Sequence, residues 1–204
     1  MGKVVLNISM SLDGFVAGPN DNPENPLGDG GESLFAWYFS GDTPFKMAGD
    51  VPEFRISRAS ARVLEEAIQS SGAMVAGRRM FDIANAWNGH PPGEGPCFIV
   101  THSAPQEWVK EGSPFTFVTD GVESAIRQAK AAAGDKNVAV SSASIAQQCI
   151  RAGLLDEIHI DLAPVLLGGG VKLFENLGFE PVQLEAIRVV EARDVTHLGF
   201  RVVK

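Results

Sequence analysis

Apolar and polar positions alternate from the start of the chain, with Leu6, Ile8 and Met10 on one face of a strand over residues 4–10. Asp13-Gly14 interrupts the alternation and Phe15-Val16-Ala17 resumes it, which predicts one bent strand. Residues 18–31 are dense in Pro, Asn, Asp and Gly, a composition that no helix or buried strand sustains. They read as a long surface loop, open to two interpretations, a lid or a disordered insertion. Residues 32–39 predict a short aromatic helix. Ser57 is placed to cap a longer helix through Ser70, ended by Gly72, with Ile56, Ala59, Val63, Ala67 and Ile68 as its buried stripe.

Strands and helices then alternate. Ala73-Met74-Val75-Ala76 feeds Gly77-Arg78-Arg79-Met80-Phe81, a strand passing through a glycine into a helix. Residues 97–101 and 115–118 predict two further strands. Asp120 and Glu123 have capping-box spacing before an alanine-rich helix closed by Gly134. Val138-Ala139-Val140 predicts a buried strand, and Ser142 or Ser144 caps a helix that stops at Gly153. Ile158, Ile160 and Leu162 alternate with His159 and Asp161, and two runs, 182–190 and 197–203, form an antiparallel hairpin around Ala192-Arg193-Asp194. The expectation is one α/β domain over residues 1–204, with helices on both faces of a mixed, mostly parallel sheet and an antiparallel C-terminal hairpin.

Composition narrows the function. The chain has 204 residues, 45% hydrophobic, which suffices for one sizeable core. Its formal net charge of -8 repels polyphosphate backbones, so nucleic acid is not an expected partner. No apolar run approaches membrane-spanning length and the residues after Met1 turn polar at Asn7 and Ser9, so no membrane partner is expected and the location is read as cytoplasmic. Cys97 and Cys149 stand far apart among apolar residues and read as reduced and structural. The histidines His90, His102, His159 and His197 lack ligand spacing, so no metal is expected, and no GxSxG segment marks a nucleophilic serine.

Chemistry is expected beyond the carboxyl ends of the strands, where helix N-termini offer unpaired amides. Gly77 with Arg78 and Arg79 forms one such junction, either a phosphate site or a solvated helix end. Ser141-Ser142-Ala143-Ser144 forms another, either a ligand cradle or simple capping. Gly168-Gly169-Gly170 lacks dinucleotide or P-loop spacing and by itself suggests a flexible connection. Asp13 is either an acceptor within its own turn or a proton donor.

The segment Met10-Ser11-Leu12-Asp13-Gly14-Phe15-Val16-Ala17, together with Gly77-Arg78-Arg79-Met80-Phe81, Val100-Thr101-His102, Gly153-Leu154-Leu155-Asp156-Glu157-Ile158 and Pro164-Val165-Leu166-Leu167-Gly168-Gly169-Gly170, resembles the dihydrofolate-reductase-like fold of the riboflavin-biosynthesis reductase C-terminal domain and its single-domain relatives. The resemblance implies a three-layer α/β fold, a homodimer, and an NADPH-dependent reductase acting on a C=N or C=O group of a small heterocycle, pteridine- or pyrimidine-like. It implies cofactor contacts at Gly77, Arg78, Arg79, Met80, Thr101 and His102 on the adenosine phosphate side, Ser141, Ser142, Ala143 and Ser144 at the pyrophosphate, and Val16, Gly168 and Gly169 near the nicotinamide. It implies Asp13 as proton relay or substrate contact. The chain departs from the family at Ser141 and Ser142, where glycines are usual, and none of Asp50, Glu53 and Glu65 matches the acid that folate reductases carry on an early helix. A non-catalytic nucleotide-binding or dimeric scaffold with a decayed cofactor site is the competing expectation.

Overall fold

A computed structural model of the chain describes residues 2–47, 53–178 and 180–204; Met1 and Asp50, both considered above, lie outside them. The chain opens with β1 (Val4–Ser11), β2 (Phe15–Ala17), a 3-10 helix (Gly31–Phe39), a small hairpin of β3 (Thr43–Phe45) and β4 (Phe54–Ile56), and α1 (Arg58–Ser70). Then follow β5 (Ser71–Gly77), α2 (Arg78–Ile83), β6 (Cys97–Val100), β7 (Phe115–Val118), α3 (Val122–Ala133), β8 (Asn137–Val140) and α4 (Ala143–Arg151). The last elements are β9 (Glu157–Ala163), β10 (Val171–Lys172), β11 (Leu184–Ala192) and β12 (Val195–Val202).

Eight of these strands form one sheet in the order β11-β12-β9-β1-β8-β5-β6-β7. The six from β9 to β7 run parallel, and β12 and β11 close one side antiparallel. This is the mixed, mostly parallel α/β sheet expected from the pattern. β1 sits inside it because Val4, Val5 and Leu6 are all buried, the two-sided burial that parallel strands require. Leu6, Val75, Val138 and Val140 pack beneath α3 and α4 in the largest apolar cluster. Each such side chain, removed from water, contributes about 1.5–3 kcal/mol. On the opposite face α1, α2 and the 3-10 helix pack on smaller clusters, one around Phe81 and one around Trp37 and Ile56.

Several local expectations need correction. The opening strand is two strands: Gly14, at φ 90, turns the chain out of the main sheet, and β2 pairs with β10 instead. The Asp120/Glu123 capping box does not form, because the helix starts one residue later, at Gly121 with φ 101 and no side-chain cap. Ser142 occupies the N-cap of α4, but its hydroxyl makes no capping bond. Residues 18–31 form an internally bonded loop in which Gly18 N donates to Leu27 O and the Asn20 and Asn25 amides donate to Asp29. In α1 the Ser57 cap is present, accepting from Ser60 N, but Ser60 and Ala61 are the buried residues, while Ala59, Val63, Ala67 and Ile68 are half-buried.

Candidate functional site

Because six strands run parallel, their carboxyl ends share one edge of the sheet, and the connections leaving that edge carry nearly all the residues singled out by sequence. Gly77 ends β5, Thr101 follows β6, Ser141 follows β8, Asp13 follows β1, and the 164–170 loop follows β9.

The two helix junctions meet directly. Gly77 N donates to Ser142 Oγ at 3.0 Å in a buried contact. A Cβ on Gly77 would lie 3.2–3.4 Å from Ser144 Oγ, Ser142 Oγ and Ile145 Cγ1, so a larger residue there would require those side chains to give way slightly. Ser142 is buried by this contact and Ser144 remains exposed. Ala143 is buried beside them.

The arginines diverge rather than act as a pair. Arg78 Nε donates to Asp82 across one helical turn and its Nη1 to the Ser103 carbonyl, which joins α2 to the segment after β6. Thr101 is buried with its Oγ1 donating to that same Ser103 carbonyl, and His102 is exposed. Arg79 reaches instead to the 18–31 loop and binds Asp21. Met80 is exposed on α2, and Val16 is half-buried against the main cluster.

Asp13 is engaged by several donors. Ser11 Oγ donates to its Oδ1 at 2.6 Å, Leu167 N to Oδ1 at 3.1 Å and Gly168 N to Oδ2 at 2.7 Å. The Ser11 hydroxyl, followed against partial desolvation by the Gly168 and Leu167 amides, holds the carboxyl below the usual aspartate value. The carboxylate thus accepts from Ser11 and from the 164–170 loop rather than only within its own turn. The loop it clamps is narrow, since a Cβ on Gly170 would collide with the Ala17 carbonyl, whereas Gly168 and Gly169 face open space.

A polar line on the α1 face was not anticipated. Ser57 Oγ donates to Ser60 Oγ at 3.0 Å, and Ser60 and His197 Nε2 are 2.9 Å apart. His197 Nδ1 lies 2.6 Å from Asp161 Oδ1. Asp161 Oδ1 accepts from the His197 ring, and His197 in turn meets the Ser60 hydroxyl on its other nitrogen. The signal is hidden in sequence, because His197 and Asp161 meet only through the β12–β9 register and Ser60 is 137 residues away. Ser60 is fully buried, so this line supports a carboxylate rather than exposing a nucleophile. Asp161, His197 and Ser141 line a cavity of about 460 Å³ between α1 and the sheet. Among the described residues no group of three His, Cys, Asp or Glu side chains is gathered as for a metal ion, and no helix is long and apolar enough to cross a membrane.

The fold is similar to that of solved proteins. A protein assigned to riboflavin biosynthesis from Shewanella sp. PV-4 superposes with a TM-score of 0.71 at 19% identity, covering 99% of both chains. A Thermotoga maritima diaminohydroxyphosphoribosylaminopyrimidine deaminase/5-amino-6-(5-phosphoribosylamino)uracil reductase gives 0.63 at 11% identity, and Acinetobacter baumannii RibD gives 0.60 at 14%. This chain spans only 57% and 59% of those two longer proteins. No curated protein matches it by sequence. The family model of the RibD C-terminal domain matches residues 2–198, and the chain belongs to that family.

Proposed function

We propose that this chain is an NADPH-dependent reductase domain that transfers a hydride to a C=N or C=O group of a small heterocycle. The Gly77 amide bonded to Ser142 Oγ carries the reading, because it sets two helix-starting junctions side by side on the edge where open α/β sheets bind nucleotides. The reductase named in the Thermotoga maritima relative supports the reaction class.

The residues present fit such a cofactor. The amides at the start of α4 and the exposed Ser144 hydroxyl would hold its diphosphate, with Ser142 acting through Gly77. Arg78, Arg79, Met80, Thr101 and His102 would take the adenosine phosphate side, and open space at Gly168 and Gly169, with Val16 nearby, would admit the nicotinamide. The cofactor, when bound, supplies the hydride. Asp13 keeps the 164–170 loop seated by accepting from Leu167 and Gly168. Self-association through the edge strand β11, where Leu184, Ile187 and Val189 are exposed, belongs to the same reading.

Titration with NADPH and NADH, followed by tryptophan fluorescence and thermal shift, tests it. NADPH is expected to saturate at micromolar concentration and raise Tm; no response at millimolar cofactor overturns the reading. The competing scaffold reading draws on the carboxylates already paired with both arginines. It gains if Arg78→Ala and Arg79→Ala together leave nucleotide affinity unchanged.

A further inference from the structure

The cavity between α1 and the sheet is apolar on both sides. Val63, Leu64 and Ala67 line it from the helix, and Val5, Met74 and Ala139 from the sheet. Such walls hold a flat ring by burial and leave its charge undetermined. The cavity runs along β8, from Asn137 at the amino end of that strand to Ser141 just past its carboxyl end. Ser141 directly precedes Ser142, so this end reaches the edge where the two helix junctions meet. The other end is lined by residues 92–95, the loop before β6. Gly95 is pressed on Gly72, where a Cβ would collide with the Gly72 carbonyl, while Gly93 faces open space.

The charges in this lining are unbalanced. Glu66, Glu94, Glu157 and Asp161 line the cavity, and among the described residues Arg188 is the only lysine or arginine that does. Arg188 is engaged by Glu66 at 2.6 Å. Glu157 accepts from Lys3, which is not part of the lining, and Asp161 is held by His197. Glu94 is exposed on its loop and has no hydrogen-bond or ion-pair partner among the described residues. An anionic substituent entering the cavity therefore finds no unpaired cation and meets carboxylates instead, whereas phosphate recognition calls for arginine or lysine. The Thermotoga maritima relative is named for a reductase of a phosphoribosylamino-uracil, and the lining here suits a different charge.

We propose that the substrate of this chain carries no phosphate: the cavity takes a flat ring with a neutral or cationic tail, and Glu94, facing that tail at the end remote from Ser141, sets the selection. The proposal rests on the reductase reading for the chemistry done on the ring, but not for the charge that the cavity selects.

Cytidine, cytidine 5′-phosphate and 5′-amino-5′-deoxycytidine are matched probes that differ only in the group ending the tail, a hydroxyl, a phosphate or an ammonium. Binding to the full chain is read by calorimetry and thermal shift, without and with saturating NADPH, which keeps the phosphate out of the cofactor's own site. The hydroxyl and ammonium forms are expected to bind at least about ten-fold more tightly than the phosphate, a modest factor for like charges brought together. Glu94→Gln is expected to narrow that gap several-fold, and Glu94→Lys to bring the phosphate level with the ammonium or above it. Glu94 is exposed, so both variants keep the fold. Ala67→Leu fills the cavity from the helix, leaves Glu94 intact and is expected to abolish binding of the hydroxyl form in a folded protein. The proposal is overturned by a phosphate that binds as tightly as the hydroxyl, by a gap that neither Glu94 variant moves, by hydroxyl-form binding that survives Ala67→Leu, or by binding of no form. The expected order without any response to NADPH sinks the reductase reading alone, and NADPH binding without that order sinks the charge selection alone.

Discussion

Arg79 grips Asp21 through both carboxylate oxygens, with Nη2 2.7 Å from Oδ1 and Nε 3.3 Å from Oδ2, and so ties the 18–31 loop to the first turn of α2. Arg79 is largely exposed, so the pair contributes at most about 1 kcal/mol to stability. On the proposed cofactor reading, its larger effect is to neutralise a guanidinium that the cofactor's phosphate would otherwise meet. Asp21→Asn is therefore expected to leave Tm within a few degrees of the parent while raising the NADPH-to-NADH affinity ratio several-fold. Arg79→Ala is expected to lower that ratio. Paired titrations check both, and a ratio that moves in neither variant removes Arg79 from the cofactor site.

The contact between Gly77 and Ser142 makes a stability prediction independent of any ligand. Ser142→Ala leaves the Gly77 amide buried without an acceptor, which costs about 1–3 kcal/mol. Ser144 is exposed and its removal is expected to change stability by less than about 0.5 kcal/mol. Urea unfolding of the two variants compares them. Equal stabilities would mean that water replaces the hydroxyl and that the junctions are not joined through it.

How far the sequence carried these features depends on whether they were local. β5, β6, β7 and β8 were legible because short apolar runs bounded by glycine and serine have few other fates. The common edge of Gly77, Thr101, Ser141 and Asp13 followed from parallel order alone. What could not be read were contacts made across long loops. Asp21 meets Arg79 across 58 residues, and nothing near either position announces the other. Ser60 looked like an unremarkable third residue of a capped helix, and its burial comes from His197 on a strand far along the chain. The apolar stripe assigned to α1 holds in part: Ile56 is fully buried and Ile68 packs on the Trp37 cluster, while Val63 and Ala67 border a cavity instead of a packed core.

Asp13 predicts a pH dependence whose sign follows from its lowered value. Its carboxyl is ordinary in the unfolded chain, at 3.8, and lower in the folded one, so the folded state favours the charged form. That stabilisation is present in full above pH 3.8 and is lost as pH falls through the folded value. Asp13→Asn is therefore expected to melt below the parent at pH 6 and to approach it as the pH drops below 3.8. Thermal melts across pH 6 to 2.5 follow the gap. A gap that stays constant, or widens in acid, would show that the charge on Asp13 does not hold the 164–170 loop.

His159 titrates in the opposite sense. Burial, set against the nearby Glu157 carboxylate, lowers its value below the ordinary 6.5, so the folded chain resists protonating a ring that lines the cavity. The unfolded chain takes up that proton first, and stability falls as pH drops below 6.5 until the folded ring also titrates. His159→Gln removes the effect. Between pH 7.5 and 5.5 the parent is expected to lose more stability than the variant in urea unfolding, and equal slopes would place His159 in contact with water rather than under α1.

The two cysteines give a test of core integrity. Cys97 and Cys149 are almost wholly buried, and burial pushes each thiol up to about 12, aided for Cys149 by the charge of Glu123. At pH 8 only about one thiol in ten thousand is then ionised, and the thiolate is the reactive form. Steric closure adds to this, since Cys149 is on the buried face of α4 in the cluster with Leu6, Val140 and Ile158, and Cys97 packs with Phe81 and Phe115. A disulfide reagent such as DTNB is therefore expected to label neither cysteine in the native protein and both on unfolding, at a rate that rises with urea as global opening does. Cys97 reacting at a rate independent of urea would point to local opening of the smaller aromatic cluster. The same behaviour at Cys149 would contradict the main core, since no route to that sulfur exists without parting α4 from the sheet.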